Sequence, residues 1–496
     1  MSVRNFRLYF VGQFVSATGT WMQAIAQMWL VLRLTESGVA LGVTTALQFA
    51  PMLVAGAWGG VVADRVDKRR LLVATQVAGG ALALLLGLIT ALGVVELWMI
   101  YGLAFLLGCV TALDNPARRA FVIEMVGAEH VTNAVSLSSA LFTAARIFGP
   151  ALAGIVIAVA GVSWCFIANA VSYAAAVGAF AMMRRDEFFG VRPVPRAKGQ
   201  LRAGLRYAWS TPSLRLPLVM TAVIGTLAFN SQVVLALLAS DTFAGDAGTY
   251  GLLYALLSVG AVTGALVTAH QAAATRRFLL LAAAVYGGFL LMAAAAPTLP
   301  VELVILVPTG AAGVAFVAMA NGVLQTHTDP LMRGRVMALF SVAFLGSTPI
   351  GGPILGWVSE AWGPRAGLAL GGIAALATAA AATRAGARRA LRRPGGADAS
   401  EPPTARAAWH PRGSRAAMVS TGPGAGHGET GPDAGGALRR AARRRPRRGR
   451  ARLRRDLARA PPGAAPLLAR PRPGDRRGRR RRDLAGRDAR PRPVPG

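Results

Sequence analysis

Residues 39–93 read VALGVTTALQFAPMLVAGAWGGVVADRVDKRRLLVATQVAGGALALLLGLITALG, two apolar runs (39–63 and 71–93) joined by a short, strongly basic turn. Neither run contains a charged residue. A helix rises about 1.5 Å per residue, so some twenty apolar residues cross the roughly 30 Å hydrocarbon core of a bilayer. The pair therefore reads as two membrane spans, with the charge held at the turn.

The same alternation continues on both sides of this pair. Further apolar runs fall at about 8–32, 97–117, 136–160 and 164–183. After a basic segment they resume at about 214–238, 248–270, 277–296, 300–325, 336–360 and 365–384. This predicts an all-α membrane protein of twelve transmembrane helices, six on each side of a loop. The chain is 54% hydrophobic and only 15% charged over 496 residues, which excludes an ordinary soluble class. Arg4 and Arg7 lead into the first run, and no small-residue cleavage site ends it. It reads as a span and not as a signal peptide.

Orientation follows from the positive charges. Alternate connections hold Arg65, Lys68, Arg69 and Arg70, then Arg118 and Arg119, then the 184–213 segment, then Arg276 and Arg277, then Arg333 and Arg335. The others hold Glu96, Asp241, Asp246 and Glu302, with few cations beyond Arg33 and Arg365. This predicts a multi-pass protein of the cell (cytoplasmic) membrane with both termini in the cytoplasm. Within 184–213, residues Leu201–Trp209 have the pattern of an amphipathic helix on the membrane surface, and a solvated linker fits equally.

The formal charge of +32 lies mostly elsewhere. Residues 386–496 carry 30 Arg against eight Asp and Glu, a surplus of 22, and the rest of the chain holds the other ten. That region is rich in Arg, Pro, Gly and Ala, with Trp409 its one aromatic residue, so it is predicted to be disordered. Three origins fit: translation of GC-rich DNA in a shifted frame, a tail drawn to anionic lipid, or a nucleic-acid-binding tail. Without aromatic residues for base stacking, the last is limited to nonspecific phosphate attraction.

Two halves are also suggested by a duplicated pattern. Gly149-Pro150-Ala151-Leu152-Ala153-Gly154 in the fifth run is matched by Gly352-Pro353-Ile354-Leu355-Gly356 in the eleventh. The expected organisation is an N-terminal six-helix bundle (1–183), a cytoplasmic linker (184–213), a C-terminal six-helix bundle (214–385) and the tail (386–496).

The turn itself is Gly60-Val61-Val62-Ala63-Asp64-Arg65-Val66-Asp67-Lys68-Arg69-Arg70. Gly60 allows close helix approach, and Asp64 at the membrane boundary can pair with an arginine or a helix N-terminus in one conformation only. Gly60, Asp64, Arg65 and Arg69 are thus candidate gating residues; a basic loop that only sets topology would need the charges alone. The skeleton G-x-x-x-D-R-x-x-x-R resembles the cytoplasmic loop motif of the major facilitator superfamily, over roughly residues 1–385. Leu113–Phe121 (LDNPARRAF), Arg146–Pro150 (RIFGP) and Arg333–Met337 (RGRVM) resemble its enterobactin-exporter and drug-exporter branch. The corresponding loop of the second half, Gln271–Arg277, lacks the acid.

The resemblance implies two pseudo-symmetric six-helix bundles in the major facilitator fold, a small-molecule substrate and alternating access. Arg146, Gly149, Pro150 and Gly154 resemble the fifth-helix motif of antiporters. A proline inside a helix bends it, and small residues beside it permit tight packing. Arg146 is expected either to face the cavity or pair with Asp114 or Glu124, or to snorkel to the headgroups. Asp114 and, second, Glu36 are candidates for proton coupling. Gln23, Gln27, Gln48, Asn169, Asn230, Gln232, Asn321 and Gln325 are candidate cavity-lining residues, with interhelical hydrogen bonding the competing role. Phe14, Trp21, Trp29, Phe49, Phe229 and Tyr254 could make the site wide and mostly apolar.

No Walker A loop, disulfide framework, metal site or paired-carboxylate centre is present in the sequence, and no cofactor or enzymatic activity is expected. The expected function is proton-driven export of a siderophore, drug or secondary metabolite by a monomer in the lipid bilayer, without specific nucleic acid. Alternatives are a facilitator-type importer of the same fold, and a membrane-tethered binder of nucleic acid or anionic lipid through the tail.

Overall fold

The computed structural model describes residues 3–189, 200–269 and 274–391; of 55–61, 63, 64, 128, 185, 201–203 and 385–391 it describes the backbone alone. Among these residues the secondary structure is helical throughout. The helices are α1 (Arg4–Thr35), α2 (Gly38–Arg65), α3 (Lys68–Ala91), α4 (Leu97–Val126), α5 (Val131–Ala160), α6 (Val162–Ala181) and the short α7 (Gln200–Ser210). They continue with α8 (Pro212–Ala228), α9 (Ser231–Leu237), α10 (Ala247–Ala269), α11 (Arg276–Ala294), α12 (Leu299–His327), α13 (Arg333–Leu345), α14 (Thr348–Trp362) and α15 (Pro364–Leu391).

Ten segments among the described residues are long and apolar enough to cross a membrane. The runs at 8–32 and 39–63 are helical as well. α1 is diluted by its terminal arginines and by Gln13, Gln23 and Gln27. The apolar described part of α2 is the shorter piece Gly38–Val54.

Two spans expected as single helices are broken. The seventh run is α8 and α9, interrupted at Phe229–Asn230 and ending in a π-helical turn, Leu238–Thr242. Asn230 Nδ2 donates to the Thr226 carbonyl at 2.9 Å, replacing the backbone donor that the break removes. The eleventh run is α13 and α14, divided at Gly346-Ser347, a residue pair that commonly marks a helix bend.

α1 packs on α5 and α6, α3 on α4 and α6, and α2 on α4; later in the chain, α10 packs on α12 and α11 on α15. The two sets meet mainly through α2 against α14 and α5 against α10. Ser37 Oγ and the Val39 amide both donate to Glu360 Oε2, at 2.7 and 3.0 Å, which defines one end of the molecule, here the Ser37 end. At the opposite, Lys68 end, Lys68 pairs with Glu124 at 2.7 Å.

Glycine makes the seam at the Ser37 end. A Cβ on Gly38 would sit 2.5 Å from the Gly356 carbonyl oxygen, and one on Gly352 would sit 2.9 Å from that of Gly42. On the other side a Cβ on Gly154 would lie 2.9 Å from Gly248 Cα, and one on Gly251 would lie 2.5 Å from the Pro150 carbonyl. The backbones touch directly because no side chain intervenes.

An arginine is repeated at the Lys68 end. Arg69, at the start of α3, donates through Nε to the Phe180 carbonyl at 2.8 Å and through Nη2 to that of Ala181 at 3.1 Å, at the end of α6. Arg276, at the start of α11, donates to the Ala382 carbonyl on α15 at 2.7 Å. The C-terminal carbonyls of α6 lack intrahelical donors, and the Arg69 guanidinium supplies them; Ala382, by contrast, lies nine residues before the end of α15. α7, where the amphipathic pattern was expected, packs on α13, with the Asp329 amide donating to Tyr207 Oη at 3.3 Å.

Candidate transport site

α4 does not stop near residue 117 but continues to Val126, which carries Arg118 inside the protein. The expectation that Arg118 is a loop charge is therefore corrected. It lies four residues after Asp114 on the same helical face, and the two form a buried ion pair. Arg118 Nε donates to Asp114 Oδ2 at 2.8 Å, and Nη2 reaches the same oxygen.

The other polar groups of this cluster come from α1 and α3. Thr75 Oγ1 and Gln76 Nε2 donate to Asp114 Oδ1 at 2.8 and 3.2 Å. Gln76 accepts from Ser16 Oγ at 3.1 Å, and Arg118 Nη1 donates to Gln13 Oε1. The guanidinium lies over the Phe142 ring, 5.4 Å from its centre. Asp114 is 5% exposed, and both of its oxygens are hydrogen-bonded. A charge so deeply placed persists only when it is paired in this way.

The cluster borders a cavity of about 140 Å³, also lined by Thr20, Trp21, Asn115 and Tyr173. It lies on the Lys68 side of the glycine seam. A second cavity of about 20 Å³, lined by Asn230, Tyr286 and Leu306 among others, has room for about one water.

Arg146 pairs with neither expected acid. Asp114 is taken by Arg118, and Glu124 by Lys68. Instead its guanidinium sits over two rings, 5.3 Å from the centre of Trp21 on α1 and 5.7 Å from that of Tyr254 on α10. Nη2 donates to Tyr254 Oη at 3.4 Å, and Nε has no hydrogen-bond partner. A Cβ on Gly149 would meet the Trp21 side chain and the Thr18 carbonyl, so this glycine sets how closely α5 approaches α1.

The remaining sequence candidates are dispersed. Of Gly60 and Asp64 the backbone alone is described; Arg65 is exposed, and Arg69 caps α6 as above. Glu36 is exposed at the C-cap of α1, with φ of 51°. Asn169 Nδ2 donates to Gln23 Oε1 at 2.6 Å, an interhelical bond between α6 and α1. Gln27 is buried with its Nε2 unpartnered. Gln48 belongs to the α2–α4 contact, where its carbonyl faces Gly108. The Gln232 carbonyl accepts from Tyr250 Oη at 3.0 Å, and Gln325 bonds Asn321 on the same helix. Of these eight amides only Asn230 borders either cavity, and it borders the smaller one. Trp21 is the expected aromatic residue that lines the larger. Thr75, Gln76 and Tyr173 were missed; their one signal is that they are polar residues inside apolar runs.

Comparison with known proteins agrees with this fold. The chain superposes on a bacterial homologue of the human lysosomal transporter Spinster, in an inward-facing and unoccupied conformation. The TM-score is 0.61 at 14% identity, covering 79% of this chain and 97% of the other. The nucleoside transporter NupG gives 0.61 at 13% identity, covering 77% and 98%. At such identity these show the fold alone. In sequence it is 26% identical to the staphyloferrin A transporter of Staphylococcus aureus over 53% of this chain and 66% of that protein. It is 24% identical to the enterobactin exporter EntS of Shigella flexneri over 75% of this chain and 89% of that one. It spans 50% of the length of the Bacillus subtilis transporter YfiS, at 28% identity. The family of transmembrane secretion effectors matches residues 1–410. The chain belongs to that family and is a major facilitator transporter, a multi-pass membrane protein and not an enzyme.

Proposed function

We propose that the protein exports a small organic molecule of the siderophore, drug or secondary-metabolite kind, driven by protons entering the cell. On this reading twelve helices form two six-helix halves, 1–183 and 214–385, joined by a cytoplasmic linker and working as a monomer. α8 with α9, and α13 with α14, each count as one broken span. The Lys68 end, which carries the basic connections, faces the cytoplasm together with both termini. The cavity then opens toward the cytoplasm, and the glycine seam closes the outer side.

The observation that carries the proposal is the buried Asp114–Arg118 pair beside the larger cavity. Protonation of Asp114 cancels the charge that holds Arg118, so the guanidinium and its contact with Gln13 on α1 are freed. Deprotonation restores the pair. A group that alternates between these arrangements links proton passage to the movement of α4 against α1, provided access to it also alternates. Gly60, Asp64, Arg65 and Arg69 are proposed to gate the cytoplasmic end, Pro150 and Gly154 to hold α5 on α10 at the outer seam, and Gly149 to hold α5 on α1. The relatives named for enterobactin and staphyloferrin A support a siderophore-like cargo.

An efflux assay in a susceptible host, with a panel of lipophilic compounds and siderophores, tests this. Asp114→Asn and Asp64→Asn should each lower the initial efflux rate at least tenfold, and collapse of the proton gradient should stop efflux by the intact protein. Unchanged efflux in both variants sinks the coupling and gating assignments. Substrate uptake indifferent to the gradient would favour the importer.

A further inference from the structure

The charges around the larger cavity do not balance. Asp114 and Arg118 neutralise each other, while Arg146 remains. Of the other acids in the described spans, Glu124 pairs with Lys68 and Glu360 bonds the N-terminus of α2. Glu302, buried in the first turn of α12, forms no ion pair with Arg146 or any other residue described. Among the described residues Arg146 makes no ion pair, and its polar contact is one long bond to Tyr254 Oη. Its Nε points at no acceptor. An arginine within a membrane span normally pairs with an acid or faces water, since the unpaired charge is costly.

Its position explains how it is kept. Arg146 lies four residues after Phe142 on α5, and so one turn further along the same face. Phe142 lines the cavity and lies under Arg118, and Trp21, which lines the same cavity, lies under Arg146. Arg118 thus borders the cavity itself, and Arg146 adjoins it through Trp21. Tyr254 adds a second ring from α10, 5.9 Å from that of Trp21, so both rings lie to one side of the guanidinium. Cation–π contact with the two rings stabilises the charge while leaving Nε of the guanidinium without a hydrogen-bond partner. The Nε edge carries the donors that match a carboxylate in a two-bond fork.

We propose that Arg146 is an anion-recognition residue of the transport site, and that the cargo is an organic anion with a carboxylate beside a flat, apolar or aromatic body. The inference rests on the transporter reading above and adds the charge class of the substrate. The anion takes the Nε edge of Arg146, and its flat body takes the aromatic wall of Trp21 and Tyr254. Because Trp21 and Tyr254 belong to α1 and α10, an anion bound there draws on both sets of helices, and its departure loosens their contact.

The test is binding of 1-naphthoate, 1-naphthamide and 1-naphthylmethylammonium to the full chain in lipid nanodiscs, by isothermal titration. The intact protein should bind naphthoate at least about tenfold more tightly than the neutral amide, and the ammonium most weakly, as a charge-assisted pair requires. Arg146→Gln should bring naphthoate down to the amide while leaving amide affinity in place. Arg146→Lys should keep part of the preference, having the charge without the fork. If Arg146→Gln does not fold, the intact protein and Arg146→Lys decide. Equal affinity of naphthoate and naphthamide for the intact protein, detectable or not, overturns the proposal, as does Arg146→Gln with the preference intact. Anion preference absent while efflux persists removes this inference alone; anion preference without efflux removes the transport reading and leaves an anion-binding site.

Discussion

Asp114 and Arg118 show how one helical turn can decide the chemistry of a span. Each is a charge buried in apolar surroundings, and each is retained through the other. Removing one partner of such a pair typically costs about 3–5 kcal/mol, because the survivor is left uncompensated, whereas removing both can be close to neutral. Asp114→Asn and Arg118→Met should therefore each destabilise the protein by about that amount, and the double variant should recover most of it. Denaturant unfolding in detergent micelles measures this, and a double variant as unstable as the sum of the singles would show that the two act separately. The pair was half legible in the sequence. The spacing of four was visible, but Arg118 stands next to Arg119, and two adjacent arginines after a proline look like the end of a span. In the structure Arg119 is exposed and Arg118 is not, since consecutive residues on a helix point about 100° apart.

At the scale of the elements, the glycine seam and the Glu360 contact hold α2 against α14 at the Ser37 end. Direct backbone contact leaves no space for a larger side chain, so Gly42→Leu should prevent closure there without disturbing either helix by itself. Nitroxide labels at the exposed positions 34 and 362, in a background without Cys109 and Cys165, should report a longer distance for Gly42→Leu than for the unaltered seam. An unchanged distance distribution would show that the seam is not what closes this end. Glu360 is exposed, and its bonds to Ser37 and Val39 are worth at most about 1 kcal/mol. Glu360→Gln should then shift the open-to-closed ratio by no more than about fivefold in the same measurement. Half of this seam could be read from the chain. The duplicated Gly-Pro pattern marked Gly154, Gly352 and Gly356, while the facing glycines Gly38, Gly42, Gly248 and Gly251 carried no signal in a chain of 58 glycines. The break at Phe229–Asn230 was hidden for a related reason: the apolar length of a run reports that it crosses, not whether its helix is continuous.

For the molecule as a whole, the fold was legible because hydrocarbon thickness imposes a length on every span. The candidate site was not, because it joins residues as far apart in sequence as Thr20 and Tyr173, 153 positions. The bundle also repeats itself in a detail that the degenerate second loop obscured, since Arg69 and Arg276 each donate to backbone carbonyls of a later helix, α6 and α15, although the acid is present in one loop only. The residues after 410 stand apart from all of this. The family match ends there, and most of the +32 charge lies in the region from 386 onward. A cation-rich segment attracts anionic lipid and nucleic acid through salt-dependent forces that need no defined site, whereas the cavity, the ion pair and the seam all lie within residues 3–391. Deletion of residues 411–496 should therefore leave the efflux rate within about twofold of the intact chain, and it should weaken adsorption to vesicles containing anionic lipid, an effect that added salt should mimic. Loss of efflux with unchanged expression and unchanged unfolding temperature would place these residues in the transport cycle. It would also favour the tethered-binder class over a self-sufficient transporter, because the charge would then be serving the protein's activity and not merely its location.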